Sequence, residues 1–240
     1  MGMARLEEKR TLAIIGGRQG IGKEVWRLAE DEHNDLWRYV VPTSEREVDV
    51  RNQPRLLEFA QDLWQTGHRN LDVIYCAGIN RLGKIGSLSA ADLMEHYEVN
   101  VAGFILFLDA LKQSHGESRV NVTVIVSDSS RVPMRGSVMY ASSKAALAHA
   151  VRCAARELAP AWRVNGISPG VVADTPMTDY IDAVVPPLRG WTLEEAQAYE
   201  RSMIPMGRRA LKSEVAEAAL WATRGPEFMT GSIIDVAGGK

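Results

Sequence analysis

Short, nearly continuous apolar runs alternate along this chain with longer segments whose apolar positions recur at helical spacing. Thr11–Ile15, Trp37–Val41, Leu71–Tyr75, Val120–Val126, Arg163–Ile167 and Ile233–Val236 read as strands. Helical segments run from about Ile21 to Asp31 and over Pro54–Thr66, Leu93–Leu111, Ser137–Leu158 and Ser213–Thr223. In the third of these, positions 93, 97, 100, 104, 107 and 111 share one face. Pro176 to Ala210 reads as irregular around Pro186-Pro187, with one helical stretch beginning near Leu193. The chain contains no internal repeat. Strands that are apolar along their whole length are buried on both faces, and their alternation with helices gives a parallel sheet. The expected fold is α/β, a single doubly wound domain over residues 1–240. Ligands of such sheets bind at the carboxyl ends of the strands, where strand order reverses.

Composition narrows the function. The chain has 240 residues, and 46% hydrophobic residues suffice for a full core. With 28 basic against 30 acidic residues, the formal charge is −2, which excludes the basic footprint of a nucleic-acid binder or a polybasic membrane adaptor. The longest apolar stretch, Val101 to Leu108, is core-sized, so no membrane partner is expected. Cys76 and Cys153 lie far apart without CxxC spacing, and the five histidines lack metal-ligand spacing, so no metal is expected. Met1 to Arg10 is polar, without the apolar core of a secretory signal, and the expected location is cytoplasmic.

Gly16-Gly17-Arg18-Gln19-Gly20-Ile21-Gly22 follows the first strand and opens the first helix. Glycines here let the backbone approach a pyrophosphate, whose charge then faces the amides of the helix N-terminus. The second strand runs into Pro42-Thr43-Ser44-Glu45-Arg46 instead of ending on an acidic residue. Hydroxyls, Arg46 and Arg18 suit a 2′-phosphate better than a carboxylate would, which leans the cofactor toward NADP while leaving NAD open.

Tyr140 and Lys144 stand four residues apart and share a helix face with Leu147, Val151, Ala154 and Leu158. That stripe packs on the sheet, so the pair lies at the sheet's functional edge. An ammonium beside a phenol is expected to lower the phenol's pKa and make Tyr140 a general acid/base. Ser127 ends the preceding strand, where its hydroxyl can bond a carbonyl oxygen. Asn100 lies on the apolar face of the 93–111 helix, where a buried amide needs hydrogen-bond partners.

With these residues in view, the chain resembles the classical short-chain dehydrogenase/reductase family over essentially its whole length. Ile15 to Gly22 matches the family's TGxxxGxG with Ile15 in place of threonine, and Tyr75-Cys76-Ala77-Gly78 matches its NNAG with the asparagines replaced. Arg163-Val164-Asn165 with Ser168-Pro169-Gly170 resembles the element beside the nicotinamide, and Ile233 to Gly239 resembles the closing strand with Ala237 for aspartate. The resemblance implies a Rossmann sheet of about seven parallel strands. It makes Asn100, Ser127, Tyr140 and Lys144 a catalytic tetrad, with Tyr140 exchanging the proton. Gly16, Arg18, Gln19, Gly20, Ile21 and Gly22 would then hold the cofactor's phosphates. Thr43 and Ser44 would meet its ribose, and Asp49 and Val50 its adenine. Ala77, Gly78, Pro169, Gly170, Val172 and Thr175 would complete the cofactor contacts, together with Tyr140 and Lys144 themselves.

The implied function is interconversion of a carbonyl and a secondary alcohol with NAD(P). The YxxxK spacing fits carbonyl better than enoyl reduction, and the likeness to 3-oxoacyl carrier-protein reductases does not single out a substrate. The rival is a catalytically silent dinucleotide sensor on the same fold. Met177, Tyr180, Ile181, Trp191, Tyr199, Met203 and Met206 are candidates for a lid over a hydrophobic or acyl substrate. A homodimer or homotetramer is expected through the 93–111 and 137–158 helices.

Overall fold

In the computed structural model, which describes residues 10–31, 37–65 and 70–240, six strands form one parallel sheet. They are β1 (Arg10–Ile15), β2 (Trp37–Pro42), β3 (Leu71–Tyr75), β4 (Val120–Ile125), β5 (Trp162–Pro169) and β6 (Ile233–Val236), in spatial order β2-β1-β3-β4-β5-β6. The helices are α1 (Gly20–Asp31), α2 (Gln53–Gln65), α3 (Ala90–Tyr97), α4 (Gly103–His115), α5 (Val138–Leu158), α6 (Pro176–Arg189), α7 (Leu193–Ser202) and α8 (Lys212–Arg224). Alternate residues of each strand supply two separate cores. Ala13, Ile15, Val73 and Val122 meet α2, α4 and α5 through Leu56, Phe104, Phe107, Leu147 and Val151. Leu12, Ile14, Ile74 and Ile167 meet α1 and α8 through Val25, Val215, Ala219 and Leu220 on the other face. This two-sided burial leaves β1 and β3 apolar almost throughout, while the polar residues of β4 and β5, Asn121, Thr123, Arg163 and Asn165, are buried with hydrogen-bond partners.

Six strands, not about seven, are found among the described residues. Only residues 43–52 separate β2 from α2, fewer than the dozen or so that a parallel crossover needs. No further helix and strand fit there, and β2 is the sheet edge. The expected 93–111 helix is also divided. A π turn over Glu98–Ala102 joins α3 to α4 and turns Asn100 fully inward. The supposedly irregular 176–210 segment holds two helices. Thr175 caps α6, Pro176 fits its first turn, and Pro186 and Pro187 fall in the last turn before the left-handed Gly190. Thr192 and Glu195 form a reciprocal capping box for α7. Arg209 then ties the two helices together, bonding Asp182 and Glu200 at 2.6 Å each.

At the amino ends of the strands a polar network is buried. Asp72, 2% exposed, accepts 2.8 Å bonds from Arg10, Trp37 and Asn121. Arg163 bonds Asn121 at 3.0 Å and the Thr223 carbonyl at 2.8 Å. Arg163 and Asn165 therefore serve the far end of β5, and only Ser168 to Gly170 reaches the carboxyl edge.

Candidate active site

A cleft of about 470 Å³ opens along the carboxyl ends of the strands. Gly16, Gln19, Gly20, Ile21 and Gly22 form one wall, and Ala77 and Gly78 after β3 form its floor. Ser127, Tyr140 and Lys144 face them, and Pro169, Gly170, Val172 and Thr175 close the far side. The phosphate turn admits no side chains at its critical points. Gly16 has φ +78°, and a Cβ on Gly22 would stand 2.3 Å from the Gly16 carbonyl oxygen. The first turn of α1 carries no acidic residue, which leaves its positive end free for an anion. This cradle fits the pyrophosphate of a dinucleotide.

Tyr140 and Lys144 sit in the first turns of α5, both buried. The Lys144 Nζ donates to the Ile125 carbonyl at 3.0 Å and lies 5.8 Å from the Tyr140 ring centre. Burial pushes the Tyr140 phenol up to about 12, with a hydrogen bond from Ser127 opposing it and the Asp128 charge adding to it. Burial likewise pushes Lys144 down to about 8. The expectation that Lys144 lowers the phenol's pKa is thus reversed here. Desolvation of the phenol sets the direction, and the ammonium is committed to a backbone carbonyl. A phenol held protonated at neutral pH is a proton donor.

Asn100 does not line the cleft but braces it. Its Oδ1 accepts from the Ile79 amide at 2.8 Å, while its Nδ2 donates to the Ile79 carbonyl at 3.0 Å and to the Ser143 hydroxyl at 2.9 Å. A Cβ on Gly78 would stand 3.3 Å from both Asn100 Oδ1 and Lys144 Nζ, a tight approach that glycine avoids at this floor. Ser127 caps a short 3₁₀ turn, accepting from the Ser129 amide at 3.2 Å, and its hydroxyl stays within reach of Tyr140.

The residues assigned to the adenine end lie apart from this cleft. Thr43 is buried, and its hydroxyl donates to the Ile14 carbonyl at 3.4 Å, so it does not face a ribose. Arg18 and Ser44 converge on Glu47. The guanidinium bonds Glu47 at 2.9 Å, and the Ser44 amide and hydroxyl donate to it at 2.7 and 2.8 Å. These donors hold the Glu47 carboxyl down to about 2. Asp49 is clasped by Arg51 at 2.9 Å, and Val50 is buried beneath α4.

Sequence reasoning missed several positioning residues. His96, fully buried, accepts from the Arg81 amide at 2.9 Å through Nε2, which leaves Nδ1 to donate to the Asp92 carbonyl at 2.6 Å. Tyr180 Oη accepts from the Leu82 amide at 3.0 Å, tying α6 to the β3 loop. Lys240 reaches Asp128 at 3.4 Å, beside Ser127. Apart from Asp92, one helical turn before His96, these partners are far off in sequence. Of the proposed lid residues, Met177, Tyr180 and Ile181 line the cleft, whereas Met206 is exposed. Among the described residues no His, Cys, Asp and Glu cluster suits a metal, and no helix is long and apolar enough to cross a membrane.

Comparison with known proteins bears on the family and the fold. A family model described as enoyl-(acyl carrier protein) reductase matches residues 19–240. A cis-1,2-dihydrobenzene-1,2-diol dehydrogenase of Pseudomonas putida is 32% identical over 149 residues, covering 60% of this chain and 53% of that protein. The match thus spans about half the length of that relative. A 7alpha-hydroxysteroid dehydrogenase of Escherichia coli is 27% identical over 98% of this chain and 95% of its own length. Among solved structures, an actinorhodin polyketide ketoreductase with NADPH superposes with a TM-score of 0.85 at 20% identity, covering 98% of each chain.

Proposed function

Because the chain belongs to the short-chain dehydrogenase/reductase family, we propose that it interconverts a carbonyl and a secondary alcohol by hydride transfer, with Tyr140 as the general acid/base. The observation that carries this reading is the meeting of Ser127, Tyr140 and Lys144 in the same cleft as the glycine cradle. A bound nicotinamide cofactor supplies or accepts the hydride. In reduction, Ser127 and Tyr140 hydrogen-bond the carbonyl oxygen, and Tyr140 passes its proton to it. In oxidation, Tyr140 takes the alcohol proton. Lys144 places a positive charge below the phenol, and Asn100 holds the floor of the cleft through Ile79 and Ser143. The relatives compared above are named for alcohols carried on rings, which supports a ring-bearing small molecule as substrate.

For the cofactor we favour NADP. Glu47 already engages the Ser44 amide, the Ser44 hydroxyl and Arg18, so it keeps little acceptor capacity for ribose hydroxyls. Those same donors form a nest for an anion, and the 2′-phosphate replaces the carboxylate in it. The ketoreductase's NADPH is in keeping with this choice. The protein would act as a homodimer or homotetramer through α4 and α5, where Ile105 and Val138 are exposed. The sensor alternative has no observation in its favour.

The test is a fluorescence titration with NADPH and NADH, followed by turnover of Tyr140→Phe. Tighter NADPH binding and an inactive variant that still binds cofactor are expected. Tighter NADH binding overturns the anion nest, and an active Tyr140→Phe overturns the catalytic assignment.

A further inference from the structure

Beside the cleft lies a second cavity of about 240 Å³, enclosed by α6, α7 and residues 131–137. Asn80, Met134, Val171 and Ile181 line both spaces, so the second opens onto the first next to Tyr140. Its walls are chiefly apolar, through Val132, Pro133, Val185 and Trp191. At this volume it holds part of a small molecule, whose reacting end then lies in the cleft.

Two polar atoms in the walls are buried and have no partner in the protein, Asn80 Oδ1 and Ser137 Oγ. Ser137 is 1% exposed, and a buried polar atom without a partner costs stability unless a ligand supplies one. The charges around the cavity are equally informative. Asp182 and Glu200 line it, but Arg209 claims both at 2.6 Å. Lys240 is engaged by Asp128 at 3.4 Å. Arg189 and Arg135 also line it, and among the described residues no carboxylate pairs with either. Arg189 is partly buried and held in place by aromatic rings, its guanidinium 4.9 Å from the Trp191 ring centre and 5.5 Å from that of Tyr199. Stacking fixes the guanidinium plane and leaves N–H groups at its edge, the geometry that takes a carboxylate in bidentate fashion.

We propose that this cavity binds the body of the substrate and that the substrate is an acid, a hydroxy or oxo carboxylate with an apolar ring between its reacting carbon and its anionic end. Arg189 is the residue that selects for the charge, with Arg135 adding attraction at the rim. Asn80 Oδ1 and Ser137 Oγ meet polar groups on the ring, Asn80 accepting from a donor such as a neighbouring hydroxyl. This assignment rests on the oxidoreductase reading of the adjoining cleft.

The experiment compares oxocyclohexanecarboxylate with its methyl ester, the same ring with the charge removed, in wild type and Arg189→Gln, with cofactor binding followed by fluorescence. The acid is expected to have a kcat/KM about 10- to 100-fold above the ester in wild type. In Arg189→Gln most of that preference disappears through KM for the acid, Arg189→Lys restores part of it, and added salt narrows the gap in wild type. Equal use of acid and ester overturns the proposal. Turnover of neither, with cofactor bound, overturns it as well. Failure to bind NADPH or NADH is the separate result that removes the oxidoreductase reading and this one with it.

Discussion

The two ends of the sheet both bury charge, and they treat it in opposite ways. At the amino ends, Asp72 is surrounded by Arg10, Trp37 and Asn121, and Arg163 by Asn121 and the carbonyls of Thr223, Pro226 and Met229. At the carboxyl ends, Lys144 has the Ile125 carbonyl, and the hydroxyls of Tyr75 and Ser168 have no partner among the described residues. Burying a charge costs several kcal/mol unless partners replace its water. Where the partners are complete, the charge serves the fold. Lys144, which lines the cleft, has a single carbonyl partner, so its remaining N–H groups are left for what enters there, and the fold carries the cost of its burial. Desolvation leads at both ends, lowering Arg163 as it lowers Lys144 and raising Tyr140.

Substitutions at the two ends should therefore fail in different assays. Tyr140→Phe removes the proposed proton donor and should lower kcat by about 10²- to 10⁴-fold, with cofactor affinity and melting temperature little changed. A steady-state assay beside a thermal melt separates the two quantities. Asp72→Ala leaves Arg10 without its carboxylate and Trp37 and Asn121 without their acceptor, and should cost about 3–5 kcal/mol of stability in urea unfolding. Once folded, this variant should retain its kcat, and a large kcat loss at wild-type stability would erase the contrast between the two ends.

Lys144→Met tests the same contrast in the reverse direction. It should abolish turnover while raising stability at neutral pH by about 1–3 kcal/mol, since it removes a desolvated ammonium. The pH dependence sharpens this prediction. The folded Lys144 titrates near 8, below its ordinary 10.5, so the folded state sheds this proton before the unfolded chain does. Stability should then rise as pH increases from about 8 toward 10.5. Tyr140, raised to about 12 from 10.0, acts oppositely, and its contribution is lost as pH climbs above 10. Melting curves across this range should show the rise in wild type and a flatter profile in Lys144→Met.

The smallest effect is expected at Glu47, an exposed carboxylate whose pairing with Arg18 is screened by solvent. Glu47→Gln weakens the competition for Arg18 and Ser44 and should improve NADPH affinity by a few-fold relative to NADH. An improvement for NADH instead would mean that Glu47 is not a stand-in for the 2′-phosphate.

The replacement of the family's usual asparagines by Tyr75 and Cys76 has a packing explanation. Tyr75 packs edge-on to Phe104, with ring centres 5.4 Å apart, and also lies 6.0 Å from Phe107. Its hydroxyl lies under Gly103, where an added Cβ would come within 3.0 Å. Burial pushes the Cys76 thiol up to about 12, so it behaves as a small apolar side chain. An aromatic cluster thus joins β3 to α4.

What the sequence determined by itself was the set of features with short-range causes. Apolar runs marked all six strands, the glycine spacing marked the phosphate turn, and four-residue spacing put Tyr140 and Lys144 on one face. Each depends on local geometry that a few neighbouring residues dictate. Tertiary structure alone decided how those pieces were completed. It turned Asn100 inward through a π turn, gave Arg18 to Glu47, folded Thr43 onto the Ile14 carbonyl, and set the ammonium of Lys144 on a backbone carbonyl. It also set Arg189 over two touching rings and assigned Asp182 and Glu200 to Arg209. Charge and hydrogen-bond partners are chosen by proximity in space, across separations as long as the 112 residues between Asp128 and Lys240. Local pattern fixes what each segment is, and only packing fixes which polar group meets which.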